Sequence, residues 1–242
     1  MGARTNYLRA FSGVAIQRSI SISGGNLRTF IDPAFLAMAC RNLSHVTSVE
    51  TSLWMFQGIR LRLSAEQGPS LTIEEQLRKE WYDHAADFVQ LFGLLESVSN
   101  KIYSSLRAVT FSLLTWDLWA ALLADKPLFV TAVDKVVVTV PPEASTGDFQ
   151  CDYCALWFPG ISTITVDVDY VHQPPIPLDI IRQILDGVQY GDEDDGRKPV
   201  AKLPSEHIEG LQCSAEWATE FAGARYTRWQ VVPMKLLLHP YM

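Results

Sequence analysis

Cys151-Asp152-Tyr153-Cys154 is the sharpest chemical motif in the chain: two thiols three positions apart, on either side of an acid and a phenol. At a helix start such a pair can cycle between dithiol and disulfide, because the helix N-terminus lowers a thiol pKa. Thioredoxin-like sites need the pair directly after a strand, whereas here some ten residues follow the apolar stretch ending at Val140. Zinc would need two further ligands. His172, His207 and Cys213 exist, but at spacings that match no common structural zinc pattern. The competing structural reading makes these thiols small apolar fillers beside Phe149, Tyr153, Leu156 and Trp157, on a helix from Asp148 to Phe158. That reading is preferred. A small enzyme using Cys151 and Cys154 for thiol redox or metal-assisted chemistry is the alternative.

Glu80, Asp83, His84 and Asp87 are the other cluster, on neighbouring turns of an expected helix. Amphipathic helices carry such residues on solvated faces, so no metal site is assigned. No Gly-x-Ser-x-Gly elbow, phosphate-binding glycine loop or Gly-x-Gly-x-x-Gly follows an apolar strand pattern. The five histidines (45, 84, 172, 207 and 239) are scattered. The expectation is a chain without catalytic residues, cofactor or metal.

A regular set of elements stands behind these motifs. Apolar residues alternate at Val109, Phe111 and Leu113, at Val136, Val138 and Val140, and at Ile164, Val166 and Val168. The steps from 109 to 136 and from 136 to 164 are 27 and 28 residues. A fixed period of this size marks stacked units that bury their apolar faces against one another. A second string recurs as Tyr7-Leu8-Arg9-Ala10-Phe11, Asn26-Leu27-Arg28-Thr29-Phe30 and Ser105-Leu106-Arg107-Ala108-Val109. Looser copies run through residues 42–47 and 160–165. Each places one apolar anchor three positions before the first inward residue of a strand.

Helices are expected between the strands. Thr115 suits the N-cap of one over 116–125, and Pro177 suits the first turn of another carrying Leu178, Ile181, Ile184, Leu185 and Val188. An earlier helix is expected to open at Asp32-Pro33. Thr72 and Glu75 read as a capping box opening one long helix to Val98. Gly191-Asp-Glu-Asp-Asp-Gly196 reads as a solvated loop, with strands after it near 207–213 and 225–232.

Phe158-Pro159-Gly160-Ile161-Ser162-Thr163-Ile164-Thr165-Val166 resembles the lead-in to a strand in fungal leucine-rich-repeat proteins. With the Leu-Arg copies, it resembles the degenerate repeat region of F-box-type substrate receptors over 7–54 and 100–190. The resemblance implies a protein-binding surface. The first 31 residues do not read as the F-box helical module that docks to a ubiquitin ligase, so no stable binding to a ligase scaffold adaptor is expected. The expected fold is thus α/β: a short leucine-rich-repeat-like solenoid in one domain, with parallel strands on one face and helices on the other. Residues 1–69 form N-terminal repeats, 70–100 a helical insertion, 101–190 regular repeats and 191–242 a C-terminal cap. An unidentified protein partner is expected on the strand residues out of phase with the core: Thr110, Ser112, Thr139, Thr165, Asp167 and Asp169, with Val137 between them.

Composition narrows the partners. At 242 residues and 48% hydrophobic, the chain can bury a substantial core. A net charge of −7 does not favour nucleic acid, which needs clustered Lys and Arg. The longest apolar runs, near 111–123 and 128–140, are broken by Asp117, Asp134 and Lys135, so no membrane span is expected. Four cysteines are too few for a disulfide scaffold, which suggests a cytoplasmic or nuclear setting. Arg4, Arg9, Arg18 and Arg28, with no acid before Asp32, keep a mitochondrial transit segment as the alternative.

Overall fold

The computed structural model describes residues 20–23, 46–54, 58–65, 70–76, 105–116, 119–120, 123, 132–142, 144, 155–168, 173–191, 198–209 and 228–234. The chain divides into two compact units, Met1–Val109 and Thr110–Met242.

In the first unit the strands are β1 (Ile20–Ser23), β2 (Val46–Trp54), β3 (Gly58–Ala65) and β4 (Ser70–Gln76). Their order is β1-β4-β3-β2, with β2, β3 and β4 antiparallel and β1 parallel to β4. Parallel repeats were expected here, and the connection lengths explain the difference. Residues 55–57 and 66–69 are too few for a parallel crossover, which needs about a dozen residues, so only hairpins can form. The expected helix from Thr72 is also corrected, because residues through Gln76 belong to β4. Leu71-Thr-Ile-Glu alternates with period two, and Leu71 and Ile73 register with Leu63 and Leu61 of β3. Cross-strand pairing therefore overrides the Thr72/Glu75 capping signature. The rest of that expected helix, and the one opening at Asp32, lie outside the described residues. Val49 and Leu63, directly paired, are buried.

The second unit carries a mainly parallel sheet. Its strands are β5 (Ala108–Ser112, shared with the first unit), β6 (Lys135–Val140), β8 (Thr163–Val168), β10 (Val200–Pro204) and β11 (Gln230–Met234). They lie side by side in chain order, and the pairs β6–β8, β8–β10 and β10–β11 are parallel. A two-stranded parallel sheet joins β7 (Leu156–Trp157) to β9 (Val188–Gln189). This architecture is α/β, as expected.

Val109 and Phe111, Val136, Val138 and Val140, and Ile164 and Val166 are buried, as their alternation requires, whereas Val168, expected in the same phase, is half-buried at the end of β8. The anchors three positions earlier (Leu106, Val133 and Ile161) are buried too. Trp116, Trp119, Ala120 and Leu123 are helical and buried, with Phe111 5.6 Å from Trp116 and 5.9 Å from Trp119 between ring centroids. Helix α1 (Leu178–Gly187) buries Ile180, Ile181, Ile184 and Leu185 in one stripe. The chain turns extended at Val188, which the sequence had placed on the helix. A Cβ on Gly187 would lie 2.7 Å from Cζ2 of Trp116, so the glycine allows the two segments to approach closely.

Three further expectations change. Leu156–Trp157, read as the end of a helix, is strand β7, with Leu156 buried and Trp157 exposed. Near 207 there is a single 3-10 turn, Ser205–His207, followed by an isolated parallel bridge between Ile208 and Ile176. The rest of the strand expected over 207–213 lies outside the described residues; a strand that was not expected runs over Val200–Pro204, and the one expected over 225–232 is described from Gln230 to Met234.

Candidate functional site

The alternation that buries one phase of β6, β8 and β10 delivers the other phase to the opposite face. Register sorts these residues into rows. Lys135 pairs with Thr163, Thr163 with Val200, and Val200 with Gln230. The next row joins Val137, Thr165, Lys202 and Val232. A third pairs Thr139 with Asp167. Lys135, Lys202 and Gln230 are exposed, whereas Val137, Thr139, Thr163, Thr165, Val200, Val232 and Asp167 are half-buried. The Val168 N–H donates to Oδ1 of Asp167 at 2.9 Å, which holds the carboxylate near the strand end.

Four of the six expected face residues have this environment: Thr110, Thr139, Thr165 and Asp167 are all half-buried. The register brings Thr139 and Asp167 side by side. Ser112 does not belong with them. It is 1% exposed, and its hydroxyl accepts from the Leu114 N–H at 3.3 Å. Its carbonyl accepts from the Thr115 hydroxyl at 2.8 Å, so Ser112 serves to cap the 3-10 turn Leu113–Thr115. Asp169 lies outside the described residues, as do Cys151 and Cys154 and the Glu80, Asp83, His84 and Asp87 group.

Sequence reasoning missed Lys135, Thr163, Lys202 and Val232 on this face. Val200-Ala-Lys-Leu-Pro204 does alternate, but the step from Ile164 to Ala201 is 37 residues against 28 before it, so a search at fixed period passes over it. Away from this face, Trp157 is 46% exposed and pairs in register with Gln189. Oε1 of Gln189 accepts from Nη1 of Arg228 at 3.4 Å, and the Arg228 guanidinium stands 5.1 Å over the Tyr190 ring. The Tyr190 hydroxyl donates to the Arg228 carbonyl.

Among the described residues no three His, Cys, Asp or Glu side chains gather as a metal would require. No helix among them is long and apolar enough to cross a membrane. Among the described residues, the sheet face offers hydroxyls, two lysines, one carboxylate and short apolar patches. No family model, curated protein or solved structure matches this chain.

Proposed function

We propose that this chain is a non-catalytic protein-interaction module, a short leucine-rich-repeat-like solenoid whose strand-lined face binds a protein partner. One observation carries the reading. Leu106-x-x-Val109-x-Phe111, Val133-x-x-Val136-x-Val138 and Ile161-x-x-Ile164-x-Val166 repeat the same buried register on β5, β6 and β8, which are neighbours in the sheet. Of these, the copies at 106–111 and 161–166 belong to the strings that carry the fungal leucine-rich-repeat resemblance, and Val133 adds a third. Parallel strands laid down in chain order, with right-handed crossovers, send every connection to the same side of the sheet. Contact between Gly187 of α1 and Trp116 of the segment after β5 fits that arrangement. The opposite face then belongs to Thr110, Thr139, Thr165 and Asp167, with Lys135 and Lys202 beside them. A surface of this kind binds through many modest contacts. With four thiols and no disulfide framework, a cytoplasmic or nuclear setting goes with it.

The test starts from a partner recovered by affinity capture from the native source and then purified. Its affinity is measured for wild type, for Asp167→Lys/Asp169→Lys, and for Gln183→Lys on the exposed side of α1. Reversing two charges in a protein interface is expected to weaken binding at least about tenfold, with most of the loss at low salt. Gln183→Lys should bind as wild type, and both variants should melt with it. Unchanged affinity in the double variant rejects the face as the binding surface.

A further inference from the structure

We draw no further inference here: the strongest candidate, the surface patch of exposed Trp157 beside Gln189 and Arg228 on the small β7–β9 sheet, carries nothing because nothing in the structure shows what covers it.

Discussion

Val138→Asp tests the inward phase of the central strand most severely. Val138 is 0% exposed, registers with buried Val166, and lies between the buried Val136 and Val140 on its own strand. The introduced carboxyl must either stay ionised among apolar neighbours or take up a proton. Protonating a group with an unfolded-state pKa of about 3.9 costs about 1.4 kcal/mol per pH unit, hence about 4 kcal/mol at pH 7. Losing the buried valine adds about 1.5 kcal/mol. The sum of about 5.5 kcal/mol reaches the lower end of the roughly 5–15 kcal/mol that holds an ordinary domain together.

The same reasoning fixes the pH dependence. The folded-state pKa of the introduced carboxyl is raised, so between about pH 4 and 7 the native variant keeps a proton that the unfolded chain has lost. Stability therefore falls as pH rises, by about 1.4 kcal/mol per unit relative to wild type, until the folded pKa is passed. Near pH 4 only the packing loss should remain. Urea unfolding followed by fluorescence of the buried Trp116 and Trp119 measures this directly. Thr165→Asp, in the other phase and facing Lys202, is the control and should shift stability by less than about 1 kcal/mol. A Val138→Asp midpoint equal to wild type, or a deficit independent of pH, would refute the assigned phase.

Gly187→Ala should destabilise by about 1–3 kcal/mol, because the new methyl meets the buried Trp116 ring and outweighs any gain in helix propensity. A variant more stable than wild type in thermal melts would contradict that contact. The Trp229 indole N–H donates to the Leu185 carbonyl at 3.2 Å in a buried setting. Trp229→Phe keeps a ring beside Tyr190 but strands that acceptor, so a loss of about 1–3 kcal/mol is expected in urea unfolding, and an unchanged midpoint rejects it. For Cys151 and Cys154, native mass spectrometry should find no bound zinc. One zinc per chain, lost in Cys151→Ser/Cys154→Ser, would move the enzyme reading to first place.

Much of the second unit was legible because its signals are short-ranged and agree with one another. Alternation at Val136, Val138 and Val140 needs only a two-residue period to predict which side is buried, and the copies at 105–109 and 160–165 mark Leu106 and Ile161 as buried anchors. Pro177 and the Ile181/Ile184/Leu185 spacing likewise place α1 without tertiary information. The errors arise where a local signature competes with pairing across the chain. Thr72 and Glu75 would cap a helix in isolation, but hairpin register with β3 recruits them into a strand. Leu156 and Trp157 fit a helical stripe, until pairing with Val188 and Gln189 turns one inward and the other out. Ser112 follows the outward phase of β5 by count, yet the strand ends there, and the turn that follows draws its hydroxyl inside. At Ser112 the face assigned by parity fails because the backbone leaves the pleat there to enter the 3-10 turn.

Register in this sheet is held by bonds that do not involve the outward side chains of the strands. One residue before β8, Ser162 donates to the Asp134 carbonyl through both its N–H, at 2.8 Å, and its hydroxyl, at 2.9 Å. The ladder continues as the Val200 N–H bonds Ser162 and the Gln230 N–H bonds Pro199. At the far end of β6, the buried Gln173 amide donates to the Val140 carbonyl at 3.2 Å. Each strand is thus located by its neighbour's backbone at its start and by buried apolar residues along its length. A one-residue slip would carry Val136, Val138 and Val140 to the outer face, at a cost of about 1.5–3 kcal/mol for each side chain expelled. Thr139 and Thr165 are half-buried in the outward phase, and the Asp167 carboxylate bonds the N–H of its own neighbour Val168, so substitutions at these positions are expected to shift stability far less than those at Val136, Val138 or Val140. That separation between a fixed frame and a more permissive face is what the proposed binding surface would require.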